Sequence, residues 1–149
     1  MSSKRYSHVS WVDFHRDTKV LAESLRFKES PSYEGIIAVT RGGLVPSSIV
    51  AHELGIRLID TICVSSYDNA ESQSKVQILK SPDGATKENG KGLIVLDDLV
   101  DSGRTLQVIR EMLPKAYFAA VYAKPAGQSA VDAFGASVSQ DTWIVFPWE

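Results

Sequence analysis

Leu93-Ile94-Val95-Leu96-Asp97-Asp98-Leu99-Val100-Asp101-Ser102-Gly103-Arg104-Thr105 is the stretch that decides the fold. Its four leading apolar residues run without alternation, which predicts a strand buried on both faces, as in a parallel sheet. Three of the chain's ten aspartates then fall within five residues. Paired carboxylates at a strand end suit a hydrated Mg²⁺ or a vicinal diol. Ser102, Gly103, Arg104 and Thr105 open a helix, with Leu106, Ile109 and Leu113 on one face and Pro114 as its stop. Backbone N–H groups and the helix dipole at such a start form a phosphate cradle. Acid pair and cradle in series suit a sugar phosphate, with hydroxyls at one end and phosphate at the other.

The same alternation of strand and helix extends outward. Residues 10–25 carry Trp11, Phe14, Leu21 and Leu25 at helical intervals, with Ser10 and Asp13 at capping-box spacing. Residues 36–39 are a second unbroken apolar run, ending in Thr40-Arg41-Gly42-Gly43. Residues 46–54 predict a helix that tolerates Pro46 in its first turn and stops at Gly55. Residues 58–64 and 117–123 predict further strands, the latter ending at Lys124-Pro125, and residues 143–146 form an apolar tail segment. Residues 65–91 differ: they are polar, broken by Pro82, Gly84 and Asn89-Gly90, with 76–79 as the one short strand. Such an excursion reads as a mobile flap. The expected fold is α/β, a mostly parallel twisted sheet flanked by helices with a flap at about 65–91. In such sheets ligands bind beyond the carboxyl ends of the strands. The clusters at 40–43, 97–105 and Lys124 all fall there.

Composition narrows the function classes. A chain of 149 residues is expected to be one domain with an adequate core. Apolar residues at 44% and charged residues at 23% exclude disordered and collagen-like classes. The net charge of −2 argues against general attraction to nucleic acid or anionic membrane. One cysteine, Cys63, excludes a disulfide scaffold and a cysteine-based zinc cluster, and reads as a small buried hydrophobe. His8, His15 and His52 lack ligand spacing and read as surface or packing residues. No apolar run approaches a membrane span, and the polar start lacks a signal-peptide core, so a cytosolic location is expected.

The segment 93–105 resembles the phosphoribosyl-pyrophosphate motif of type I phosphoribosyltransferases. Residues 35–46, Ser65-Ser66-Tyr67-Asp68, Ala123-Lys124-Pro125-Ala126-Gly127 and Gln140-Asp141-Thr142-Trp143-Ile144 resemble the bacterial xanthine-guanine branch of that family. The resemblance runs from about Trp11 to Trp148. It implies transfer of a phosphoribosyl group from phosphoribosyl pyrophosphate to a 6-oxopurine through an oxocarbenium-like transition state, with Mg²⁺ as cofactor. It implies that Asp97 and Asp98 hold ribose hydroxyls and the Mg²⁺ shell, with Asp98 on the metal side. Asp101 would be the catalytic acid/base at purine N7. Ser102, Gly103, Arg104 and Thr105 would bind the 5′-phosphate, with Leu99 and Val100 also among the substrate-binding residues.

Arg41 and Gly42 would hold pyrophosphate through charge and close backbone approach, with a cis peptide expected at Thr40–Arg41. Lys124 would meet the 6-oxo group, Trp143 would stack on the base, and backbone around Ile144 would read its 2-position edge. Three departures stand out. In place of the family's basic flap contact, Gln73 or Ser74 falls near the position and Lys75 is the nearest cation. Arg104 replaces a Gly common in relatives. The chain stops at Glu149, where relatives add a tail. The resemblance also implies a homo-oligomer, a tetramer, and leaves room for peripheral contact with the cytoplasmic face of the inner membrane. Two other readings are a phosphoribosyltransferase-like regulator binding RNA, which calls for a Lys/Arg-rich face, and a phosphoryl-accepting receiver domain, whose acceptor Asp ends a separate strand.

Overall fold

The computed structural model describes residues 5–26, 33–69, 72–83 and 87–149, with the side chains of 66–69, 72–75 and 87 outside that description. In chain order the elements are β1 (Arg5–His8), α1 (Trp11–Arg26), β2 (Gly35–Thr40), α2 (Leu44–Leu54), β3 (Leu58–Asn69), β4 (Ser72–Lys80), β5 (Leu93–Val100), α3 (Arg104–Met112), β6 (Tyr117–Ala123), β7 (Ala133–Ser137) and β8 (Thr142–Val145). Six strands form one sheet in the order β4-β3-β2-β5-β6-β7. Every neighbouring pair in it is parallel except β3 with β4.

The unbroken apolar runs do what their pattern predicts, supplying both faces of the sheet. Ile36, Ile94, Leu96, Ala119 and Val121 point to one side, where Phe14, Leu21 and Leu25 of α1 and Val50 and Ala51 of α2 cover them. Ile37, Val39, Val95, Phe118 and Ala120 point to the other, against Leu106, Ile109 and Leu113 of α3 and its C-terminal edge. Each fully buried Leu, Ile or Phe contributes about 1.5–3 kcal/mol, so these two layers fix the sheet. Helix α1 starts where expected, with the Asp13 N–H donating to Ser10 Oγ at 3.0 Å. Helix α2 begins at Leu44 and keeps Pro46 in its first turn; it ends at Gly55, whose φ of 70° is the left-handed cap a glycine adopts without penalty.

Two expectations change. The excursion at 65–91 is largely an antiparallel hairpin: β3 continues to Asn69 and pairs with β4 from Ser72 to Lys80, followed by a 3-10 turn at Lys87–Gly90. A hairpin needs only its backbone ladder, so a polar sequence forms it without an apolar signature. The flap contacts expected of Gln73, Ser74 and Lys75 concern side chains outside the described residues; the backbone of Lys75 lies in β4 opposite Tyr67. In the second change, β5 runs through Val100, so Asp97 and Asp98 lie inside the strand rather than after it.

The short strands β1 and β7 carry no sequence signal. β1 is exposed at all four residues and is held by its register with β8, from Arg5 opposite Thr142 to His8 opposite Val145. Cys63 is half-buried in β3 rather than fully enclosed. Trp148 packs stacked on Phe146 at 4.7 Å, while Trp11 lies 6.0 Å from Trp148 with 55% of its surface exposed.

The sheet order sets the place for a ligand. From β2 the chain first lays β3 on one side, then crosses to lay β5 on the other. The loops leaving β2 and β5 therefore diverge, opening the crevice in which parallel α/β sheets bind ligands.

Candidate active site

Three segments meet at the carboxyl ends of β2, β5 and β6. The first leaves β2 as Thr40-Arg41-Gly42-Gly43. Its Thr40–Arg41 peptide is cis, as expected. The Gly43 N–H donates to Val39 O at 2.7 Å and the Leu44 N–H to Arg41 O at 3.0 Å, while the Arg41 side chain stays exposed. Gly43 has no room for a side chain, since a Cβ would collide with the carbonyls of Leu96 and Val39, and a Cβ on Gly42 would have to displace the Asp98 carboxylate.

The second segment is the end of β5 with the start of α3. Asp97 and residues 99–106 line an open cleft of about 140 Å³. Asp98 instead lies against Gly42. The two carboxylates touch, hydrogen-bonded to each other, so the acid pair sits together where the cleft meets the Arg41–Gly42 loop. Gly103 caps α3 with φ of 87°, and a Cβ there would come within 2.7 Å of Ala130 Cβ. Gly103→Ala should therefore destabilise the protein by at least about 1–2 kcal/mol from the left-handed backbone alone, read as a lower urea midpoint. An unchanged midpoint would show that the cradle yields freely.

The third segment follows β6. Lys124 is 5% exposed, and its Nζ lies 3.3 Å from Asp101 Oδ2. Its backbone N–H donates to Val100 O at 3.0 Å, which ties the ends of β5 and β6 together. Gly127 packs directly against the carbonyls of Val100 and Asp101, again leaving no room for a Cβ. Asp101 itself is open to solvent, with its side chain 60% exposed. Trp143 in β8 exposes 46% of its surface, whereas the Ile144 side chain is 6% exposed and belongs to the core.

The acids carry the electrostatics of the site. Burial, and then the neighbouring Asp98 charge, hold the Asp97 carboxyl well above the usual carboxylate range. Burial also raises Asp98, partly offset by hydrogen bonding with Asp97. A raised folded-state value means the folded protein holds this proton more tightly than the unfolded chain does. Stability is then greatest below the ordinary carboxylate range and falls as pH rises through the raised value. Asn at position 97 keeps an acceptor for the Asp98 N–H, which Asp97 Oδ1 now receives at 2.8 Å. Asp97→Asn should accordingly raise Tm at pH 7.5 in chelator-treated buffer, by roughly 2–4 °C per kcal/mol relieved. The gain should shrink towards pH 4, and scanning calorimetry at the two pH values checks both parts.

The donor set also fits a hard cation. It is made of oxygen, and two crowded carboxylates hold more negative charge than their surroundings neutralise. Among the described residues no group of three or more His, Cys, Asp or Glu side chains could enclose a metal. An ion here would keep waters or substrate oxygens in its shell, which is the habit of Mg²⁺.

A sequence model of the phosphoribosyl transferase domain matches residues 15–149. The chain belongs to this family. Xanthine-guanine phosphoribosyltransferase of Desulfotalea psychrophila is 53% identical over 146 residues, covering 98% of this chain and 88% of that protein. Among solved structures, the purine phosphoribosyltransferase of Pyrococcus horikoshii is similar with a TM-score of 0.80 at 30% identity, covering 97% of this chain and 93% of that one. The Helicobacter pylori xanthine-guanine-hypoxanthine phosphoribosyltransferase gives 0.75 at 25% identity, covering 97% and 94%.

For a phosphoribosyltransferase, the residues brought together are Arg41, Gly42, Asp97, Asp98, the 99–105 segment and Lys124. Trp143 and Ile144 sit on a separate two-stranded sheet that reaches the site through the 139–142 turn. One further participant opens the 140–144 segment, in which the sequence singles out only Trp143 and Ile144. Gln140 donates from Nε2 to Asp101 Oδ1 at 2.7 Å, although 39 residues separate the two.

Proposed function

We propose that the chain transfers the phosphoribosyl group of 5-phospho-α-D-ribose 1-diphosphate to guanine, xanthine or hypoxanthine, a purine-salvage reaction that releases pyrophosphate. The observation that carries this reading is the Asp101–Lys124 pair, 3.3 Å apart beside the phosphate cradle. A 6-oxopurine presents O6 and N7 side by side on one edge. A buried ammonium and an open carboxylate at that separation can address both, with Lys124 donating to O6 and Asp101 accepting the N7 proton.

The remaining roles follow from position. The backbone N–H groups at 102–105 and the start of α3 hold the 5′-phosphate, with Arg104 at the rim. Asp97, in the cleft, faces the ribose hydroxyls. Asp98, against Gly42, faces the pyrophosphate side and would hold Mg²⁺, which supplies charge neutralisation to the leaving group when bound. Arg41 and the Gly42 backbone bind pyrophosphate. Purine N9 forms its bond to C1′ as the C1′–O bond breaks and its electron pair leaves with pyrophosphate. Asp101 takes the purine proton, so charge is balanced at both ends. Trp143 stacks on the base, and the backbone at Ile144, held by its buried side chain, meets the 2-position edge. Catalysis here is positioning and electrostatics.

Steady-state formation of GMP, XMP and IMP with phosphoribosyl pyrophosphate and Mg²⁺ tests this. Turnover of 6-oxopurines with little use of adenine is expected; no 6-oxopurine turnover would overturn it. Lys75 as the flap cation, a cytosolic location, a single domain and a homotetramer belong to the same proposal, supported by the family resemblance. No helix among the described residues is long and apolar enough to cross a membrane. Light scattering on the purified chain checks the tetramer.

A further inference from the structure

We propose that Gln140 is a positioning residue that fixes the Asp101 carboxylate in the orientation needed to receive the purine proton. The inference rests on the role given to Asp101 above and deepens it.

Asp101 lies on an open surface, where an aspartate side chain would ordinarily sample several rotamers in water. Here both of its oxygens have a donor. Lys124 Nζ approaches Oδ2 at 3.3 Å and Gln140 Nε2 approaches Oδ1 at 2.7 Å. The two donors differ in what happens when substrate enters. Lys124 is assigned to the purine O6, so its hold on Asp101 is shared with the substrate. Gln140 has no such second duty and can keep its hydrogen bond throughout.

The Gln140 amide is oriented by its second end. Its Oε1 accepts from the Ala126 N–H at 2.9 Å. An N–H on one side and a carboxylate on the other permit a single amide orientation. The backbone beneath it is also fixed. The Thr142 N–H donates to Ser139 O at 3.1 Å, and Ser139 Oγ donates to Asp141 Oδ1 at 2.7 Å. Gln140 therefore joins three segments: the acid after β5, the turn after Lys124, and the loop entering the strand that bears Trp143 and Ile144. A base stacked on Trp143 would meet an Asp101 whose direction is set from the same loop.

The two ends of the amide can be separated chemically. Gln140→Glu keeps an acceptor for Ala126 but removes the donor to Asp101 and places a second carboxylate beside it. Gln140→Leu removes both. Positioning predicts that both variants lose kcat for guanine by roughly 10- to 100-fold, with Gln140→Glu affected at least as strongly. The KM for phosphoribosyl pyrophosphate and the Tm should stay near wild type. In an Asp101→Asn background, the further loss from Gln140→Leu should vanish. Near-normal kcat for Gln140→Glu, or full additivity in the double variant, would overturn the proposal and reduce Gln140 to a brace for the loop. Absence of turnover in the wild-type protein would instead overturn the functional reading on which the proposal depends.

Discussion

Asp101→Asn should lower kcat for 6-oxopurines by about 10²- to 10⁴-fold, the usual worth of a positioned general base. The substitution conserves shape and leaves an oxygen to receive the Gln140 donor that now lies 2.7 Å away. It removes the capacity to hold the purine proton. Asp101 lies outside both core layers, so the fold should persist, with a modest fall in Tm because the buried Lys124 ammonium loses its carboxylate. Binding of phosphoribosyl pyrophosphate should also persist, because the cradle acts through backbone groups of 102–105. Single-turnover kinetics with guanine, alongside equilibrium binding of the sugar diphosphate, measure the two separately. Turnover within a few-fold of wild type would remove Asp101 from the proton path.

Lys124→Met should be the second large effect. Met matches the unbranched stem and keeps the packing of a residue that is 95% buried. It deletes the ammonium that sits 3.3 Å from Asp101. A lost charge-assisted hydrogen bond costs about 1.5–3 kcal/mol, so kcat/KM for guanine should fall roughly 10- to 100-fold. The more telling result is selectivity. Lys124 donates and cannot accept, so it favours a 6-oxo group over a 6-amino group; without it, the preference for guanine over adenine should collapse. Asp101 would remain solvated and bonded to Gln140, so little stability should be lost. Competition assays with the two bases, paired with thermal melts, decide this. Retained discrimination would place the 6-position contact elsewhere.

Legibility differed from one element to the next. The strands at 36–39, 93–96 and 117–123 were readable because burial on both faces demands an uninterrupted apolar run. The turn after β5 and the α3 start were readable because strand, turn and helix N-terminus form one contiguous local structure. The loop after β2 was marked by its glycines, which the close contacts at Gly42 and Gly43 account for. The β3–β4 hairpin leaves only the short 76–79 signal in the sequence, since its ladder of backbone hydrogen bonds asks little of the side chains. β1 was invisible for the same reason, being exposed throughout.

The sequence by itself determined the layer architecture, the acid-rich turn and the resemblance that assigns its chemistry, all of which are properties of short contiguous segments. Only the tertiary structure decided what surrounds the acids. Strand β5 extends through Asp97 and Asp98, and the fold brings their carboxylates into contact with each other and sets the Asp98 carboxylate against Gly42. Tertiary structure also brought Lys124 and Gln140 to opposite oxygens of Asp101 across 23 and 39 residues. Contacts of that span depend on where three strand ends come to rest after the sheet is packed. No local pattern encodes them, because the residues that set those positions are the buried ones far from the site.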